Sequence, residues 1–441
     1  MNRSRKLLVG AIAALLGTAL LTTGSASAAP GKHVSVPANP PMGWSSWSSL
    51  HGNISASIIE AQAKELHDNL AQVGYRYVNV DAGWQNGVDT FGRPTYDTTK
   101  FPNGIKPVAD YVHSLGLKFG IYLVPGIPAA AVTANSAIAG TNLHISDIAD
   151  TSKPGNTAQD GAAAIDYTKP GAMAYVQSEA NLLASWGVDY LKMDFVGPGG
   201  GRIAADNRAD IQAWHTAIQH SGRAIHLELS NSLSFANAST WAQYSNGWRI
   251  EGDVECYSHC TGLTNWALRV SKRFTDVPQW IPFAGPGHWN DLDSLEVGNG
   301  TTTDGLSADE EQSTITLWSI ESAPLLLGTN LTKLDAADLK LLTNREVIAV
   351  DQAGHPAHPV SQSSSQQVWF AKNPDGSYTV ALFNLGSASA TVSATWSELG
   401  ISGSAMVRDL WAEKNIGKQA SGYSATLASH ASMLLRVRPC H

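Results

Sequence analysis

Two aspartates carry the chemistry for which this chain is equipped: Asp194, in Tyr190-Leu-Lys-Met-Asp-Phe195, and Asp253, in Trp248-Arg-Ile-Glu-Gly-Asp253. Each closes a short apolar run that reads as a strand, and each has a cation near it in sequence, Lys192 and Arg249. Two carboxylates held at strand ends on a rigid scaffold can cleave a glycosidic bond. One meets the anomeric carbon while the other handles the proton of the leaving oxygen. A single aspartate at such a place is about as often the cap of the following helix, so the pattern around the pair decides.

Those carboxylates must be positioned by the elements that end at them. Short apolar runs alternate with stretches of helical spacing. The runs are Met42–Ser46, Tyr75–Val80, Leu117–Leu123, Val188–Asp194, Ala224–Leu229, Trp248–Asp253, Trp280–Phe283 and Pro324–Leu327, while Phe101–Leu115 and Ala172–Trp186 read as helices. Continuous rather than alternating hydrophobicity marks strands buried on both faces, as in a parallel sheet. Some eight strand–helix units predict a (β/α)8 TIM barrel over residues 29–352, with catalytic groups at the C-terminal strand ends. The competing doubly wound sheet would carry a glycine-rich phosphate turn after its first strand, and none is present. Gly197-Pro-Gly-Gly-Gly201 lacks the Lys-Ser/Thr of a phosphate cradle. From Gln367 the pattern changes to short alternating strands separated by Gly, Ser, Asn and Asp. This predicts a small antiparallel β-sandwich over 353–441.

The start of the chain reads as a secretory signal peptide. Arg3, Arg5 and Lys6 precede an apolar stretch, Leu7–Leu21, and Ala26-Ser27-Ala28 offers a cleavage site after Ala28. The stretch is short for a membrane span and no later one replaces it, so the expectation is a soluble, extracellular protein. Removing residues 1–28 takes three positive and no negative charges from a net charge of −8, leaving −11. An acidic chain offers no electrostatic footprint for nucleic acid or an anionic membrane. A neutral carbohydrate fits better, and 14 tryptophans supply faces on which sugars stack. Three cysteines are too few for a disulfide framework. Cys256 and Cys260 are spaced to bridge within a loop, leaving Cys440; a zinc site at Cys256, His259 and Cys260 lacks a second ligand cluster.

Seven motifs occur in order: Pro40-Pro-Met-Gly-Trp-Ser-Ser-Trp47, Asn79-Val-Asp-Ala-Gly-Trp84, Phe101-Pro-Asn-Gly-Ile-Lys106, Ala109-Asp-Tyr-Val-His-Ser-Leu-Gly-Leu-Lys-Phe-Gly-Ile-Tyr122, Trp186-Gly-Val-Asp-Tyr-Leu-Lys-Met-Asp194, Trp248-Arg-Ile-Glu-Gly-Asp253 and Gly285-Pro-Gly-His-Trp-Asn-Asp-Leu-Asp293. The set resembles glycoside hydrolase family 27, the melibiase-like α-galactosidases, over roughly residues 38–352, with a β domain like that family's behind it. The resemblance implies a retaining mechanism without cofactor or metal, in which Asp194 is the nucleophile and Asp253 the general acid/base. It also implies Trp47 as a pocket wall and Asp81 as acceptor for hydroxyls at the far end of the ring. Lys192, two residues from Asp194, projects to the same side, where it would keep Asp194 ionised and donate to a sugar hydroxyl, and Arg249 would do likewise. Tyr122, ending the third strand, is by position either a second wall or an aromatic of the barrel core. Asp253 is expected to be held protonated by burial and by Asp194. Asn290, Asp291 and Asp293 read as loop ties rather than a calcium site.

Departures from the family leave the sugar open. The usual pair of aspartates after the second strand is here Asp81-Ala82, the customary cysteines are missing, and His226-Leu-Glu-Leu-Ser-Asn231 replaces the expected fifth-strand contact to the 2-position. Residues 126–166 form a long insertion at the barrel face that shapes the cleft in such folds. An α-galactosidase therefore stands beside a β-L-arabinopyranosidase, an α-glucan or isomaltodextranase type, and a non-catalytic carbohydrate-binding protein. Oligomeric state has no signature.

Overall fold

The computed structural model describes residues 35–153, 155, 162–199 and 205–440; the segment expected to be a signal peptide, residues 1–28, lies outside them. Eight parallel strands form the sheet: β1 (Met42–Ser45), β2 (Tyr77–Val80), β3 (Lys118–Leu123), β4 (Tyr190–Met193), β5 (His226–Leu229), β6 (Gly247–Arg249), β7 (Trp289–Asp291) and β8 (Leu325–Leu327). They pair in sequence order from β1 to β7, and β8 returns to pair with β1. The curl is completed where Leu295, just past β7, bridges Leu327. Leu295 N–H donates to Leu326 O at 2.8 Å and Gly328 N–H to Leu295 O at 3.0 Å.

One strand differs from the sequence expectation. Trp280–Phe283 is not β7 but the end of the helix Ser271–Trp280 and a following 3-10 turn, Ile281–Phe283. Pro282 has no N–H to give a sheet ladder, and the chain reverses at Gly285–His288 before β7 begins. A short hairpin, Gln85–Val88 with Pro94–Tyr96, follows β2 and was not foreseen.

The barrel interior is built by alternation. Leu191 and Met193 on β4 face the helices, fully buried, while Tyr190 and Lys192 point inward. Glycines on neighbouring strands leave room for large inward groups: a Cβ at Gly120 would overlap the Asn79 amide, and one at Gly247 the Glu228 carboxylate. Tyr190 stacks on His226 at 4.8 Å, and His226 Nε2 meets Glu228 Oε2 at 2.9 Å. Burial pushes His226 down to about 3 and Glu228 well up, which disfavours charge on either. This polar layer is the floor on which the site stands.

Downstream, a six-stranded antiparallel sheet runs in the order His358–Pro359, Gln366–Lys372, Tyr378–Asn384, Ser432–Pro439, Ala405–Asp409, Lys414–Gln419. The pair Ala390–Thr395 and Gly422–Leu427 completes a sandwich around Val380, Leu382, Val392, Trp396, Leu435 and Val437. Its Trp411 Nε1–H donates to Thr316 Oγ1 on the helix Ala308–Ile320 at 2.9 Å.

Candidate active site

Asp194 reaches its place through a helix stop. The helix Ala172–Trp186 ends at Gly187, whose φ of 88° suits a residue without Cβ. Val188 N–H bonds back to Leu183 O at 3.1 Å, and the chain turns directly into β4. Register then sets the neighbours: Lys192 pairs with Tyr122 on β3 and with Glu228 on β5. Asp194 N–H extends the ladder to Leu123 O at 2.8 Å, just beyond the strand. The next residue, Phe195, has φ 54°, a left-handed conformation rare for a bulky side chain, and its N–H donates to Asp194 Oδ1 at 2.8 Å.

Asp253 sits not at a strand end but four residues past β6, in a loop. Arg249 closes that gap. It is buried at the end of β6, with one terminal nitrogen on Asp253 Oδ1 and the other on Asp293 Oδ1 at 3.1 Å. The second Asp253 oxygen accepts from Tyr257 Oη at 2.8 Å, and Tyr257 Oη accepts from Trp47 Nε1–H at 2.8 Å. Tyr257 stands on a loop closed by the disulfide Cys256–Cys260, with Cα atoms 5.9 Å apart; Cys440 is free. That bond removes both thiolates of the alternative zinc reading.

One cavity of about 300 Å3 is lined by Trp47, Asp81, Ala82, Tyr122, Lys192, Asp194, Phe195, Asn231, Arg249, Asp253 and Tyr257. All seven residues singled out in the sequence meet there. Tyr257 and Asn231 join them, and sequence reasoning missed both. The one signal for Tyr257 was an aromatic between two cysteines spaced to bridge, four residues from Asp253. None of the described residues of the insertion 126–166 lines the cavity, contrary to expectation. Its helix Ala129–Ala134 and turn Ile145–Asp147 instead flank the hairpin at Gly92, where a Cβ would touch Ala131, Ser136 and Ile145.

The electrostatics revise one sequence expectation, the protonation of Asp253. Lys192 donates to Asp81 Oδ2 at 2.8 Å. Burial works against its charge, but Asp81 and Asp194 outweigh it and hold the ammonium well above its usual range. Asp253 is not held protonated. Burial pushes its carboxyl up, yet the Arg249 guanidinium, the Tyr257 hydroxyl and Lys192 bring it below the ordinary carboxylate value. The neutral acid is its neighbour Glu255, pushed up to about 8 by burial and by Asp293 and Asp253, and bonded by Ser48 Oγ–H at 2.6 Å. Asp253, Glu255 and Asp293 cluster closely enough to hold a metal, but the Arg249 bridge already supplies the positive charge. Asp291 and Asp293 tie loop backbone, accepting from Asp293 N–H and Val254 N–H at 2.7 Å each, whereas Asn290, on β7, accepts from Trp248 Nε1–H on β6 at 2.9 Å and so links two strands.

A parallel eight-stranded barrel with a sugar-sized polar cavity at its C-terminal strand ends, holding carboxylates and aromatic walls, defines a glycosidase. Residues 39–150 and 153–353 match the family described as Alpha galactosidase A, and residues 363–437 match the Alpha galactosidase C-terminal beta sandwich domain. The chain belongs to this family, glycoside hydrolase family 27, the melibiase-like α-galactosidases. It is 32% identical to alpha-galactosidase 2 of Arabidopsis thaliana over 401 residues, covering 89% of this chain and 88% of the relative. It is 33% identical to an alpha-galactosidase of Coffea arabica, with 91% and 94% covered. A solved β-L-arabinopyranosidase of Geobacillus stearothermophilus superposes with a TM-score of 0.85 at 31% identity, covering 91% of this chain and 97% of that one. A variant of that enzyme has been solved in complex with arabinose.

Proposed function

We propose that this chain is an exported, retaining, exo-acting α-galactosidase that releases terminal α-galactosyl residues through a covalent glycosyl-enzyme. The observation that carries the reading is the presence of Asp194 and Asp253 in the wall of one cavity of monosaccharide size. In the first step an Asp194 oxygen bonds to the anomeric carbon as the bond to the leaving oxygen breaks, and Asp253 gives that oxygen a proton. In the second, Asp253 takes a proton from water, whose oxygen attacks the same carbon and frees Asp194. Trp47 and Tyr122 wall the ring, and Asp81, oriented by Lys192, accepts from its hydroxyls. Arg249 acts on the carboxylates it clamps rather than on sugar. Export rests on the signal pattern before Ala29, and N-terminal sequencing of secreted protein should begin there.

A second reading has its own support. Ala82 lines the cavity where the resemblance implies a second aspartate, which weakens the grip on a galactoside. A β-L-arabinopyranoside shares the ring hydroxyl pattern and lacks the hydroxymethyl arm. Hydrolysis of nitrophenyl α-galactoside, β-L-arabinopyranoside and α-glucoside, with isomalto-oligosaccharides alongside, separates these readings. A preference for the arabinopyranoside moves the assignment to the second; a preference for α-glucosides removes both. Release of the product with inverted anomeric configuration, followed by NMR, rules out the mechanism.

A further inference from the structure

Away from the sugar cavity, three buried acidic side chains converge with no cation opposite them. Asp304 ends the short helix Thr301–Asp304, Glu311 lies near the start of Ala308–Ile320, and Asp338 lies in Ala336–Leu342. They are 0%, 1% and 2% exposed. One carboxylate oxygen from each lies within 4.8 Å of the other two. Backbone N–H groups of Gly298 and Asn299 occupy Asp304 Oδ2 at 2.8 and 2.9 Å, and Gly300 N–H occupies Asp338 Oδ2 at 2.7 Å. Asp304 Oδ1 and Glu311 Oε1 are buried without any donor. Asp338 lies within hydrogen-bond reach of both Asp304 and Glu311, and Asp335, also acidic, bears on Glu311. Among the described residues no Lys, Arg or His is ion-paired with any of the three.

We propose that Asp304, Glu311 and Asp338 form a binding site for one Ca2+ ion that ties the 298–305 loop to the two helices. Buried charges of one sign require a counter-charge or protons. An all-oxygen donor set selects a hard cation rather than a thiophilic one. Ca2+ holds oxygens at about 2.3–2.6 Å, so ligands across the ion stand about 5 Å apart, the scale of this cluster. Mg2+ retains several waters, which suits side chains this buried less well. The site also has a structural line to the catalytic loop. Asp304 O accepts from Thr264 N–H at 2.9 Å, and Thr264 Oγ–H donates to Val254 O at 2.6 Å, next to Asp253.

The test is made on the full secreted chain at pH 8, stripped with EGTA. Titration calorimetry with CaCl2 should give one site per chain, and Ca2+ should raise the thermal midpoint of the stripped protein by on the order of a few degrees. Glu311→Gln and Asp338→Asn should fold and lose both the heat and the shift. If stripped and Ca2+-loaded protein unfold at the same temperature and acidification stabilises both alike, the carboxyls share protons and there is no site. A calcium response retained in both variants overturns the location, and a response to Mg2+ alone overturns the ion. Should a variant fail to fold, the comparison of stripped and loaded wild type decides. Glycosidase activity enters none of these readouts, so the outcome is independent of the reading of the sugar cavity.

Discussion

Tyr257 gives its phenolic hydrogen to Oδ2 of Asp253 at 2.8 Å while Arg249 holds Oδ1, so both oxygens of the carboxylate are engaged before any sugar arrives. If Asp253 is the acid proposed above, the leaving oxygen would compete with that phenol for Oδ2. In the proposed mechanism that exchange would remove one of the bonds that hold the carboxyl low, so that Asp253 takes up a proton from solvent before passing it to the leaving oxygen.

Tyr257→Phe should therefore raise the Asp253 pKa. The sign follows from the bond: the hydroxyl stabilises the charged carboxylate, and without it the proton is held to higher pH. The basic limb of kcat/KM, which reports the free enzyme, should move upward by roughly half to one pH unit. A limb that stays in place means that Tyr257 does not set the acid.

Asp253→Ala should slow hydrolysis of alkyl glycosides by about 10²–10⁴-fold and slow activated phenolates far less, because a good leaving group does not need the proton. Leaving-group dependence of kcat/KM is the measurement. Equal slowing on every leaving group would reassign the residue.

Ala82→Asp places a carboxylate on the cavity wall beside Asp81 and Lys192. The ratio of α-galactoside to β-L-arabinopyranoside turnover should rise, by up to 10–200-fold if a new hydroxyl contact worth about 1–3 kcal/mol forms. No change in that ratio would exclude the position as a selectivity gate.

Glu179, buried in the helix Ala172–Trp186, is pushed up to about 8 by desolvation. Its folded-state pKa lies above the unfolded one, so the unfolded chain loses this proton first as pH rises. The stability it contributes is complete below about pH 4.3 and lost as pH climbs towards 8. Within that window the slope is at most about 1.4 kcal/mol per pH unit for the group. Glu179→Gln should flatten the decline of the thermal midpoint over that range; an unchanged slope assigns the effect to other buried acids.

The barrel and the strand that ends at Asp194 were legible because their signal is local. Val188 to Asp194 is a mostly apolar run, broken by Asp189 and Lys192, after a helix stopped by glycine, and the Lys-x-Asp spacing puts Lys192 on the inner face. β7 was misplaced because Trp-Ile-Pro-Phe at 280–283 has strand-like hydrophobicity, and only its proline betrays the turn. The charge state of Asp253 was illegible for a different reason. It depends on Arg249 reaching across a loop and on Tyr257 being tethered by Cys256–Cys260, neither of which periodicity records. The cleft role given to residues 126–166 was not met by its described residues, none of which lines the cavity: length reveals an insertion but not the direction in which it folds.

The barrel is joined between β7 and β8 by a single bridged residue, whereas the β1–β8 pairing spans three register positions. A cylinder of that construction has its lowest-energy local opening along this seam rather than around the whole ring. The amides of Leu295 and Gly328 should trade hydrogen for deuterium faster than those of β3 and β4, so that the β7–β8 wall opens while the strand leading to Asp194 stays shut.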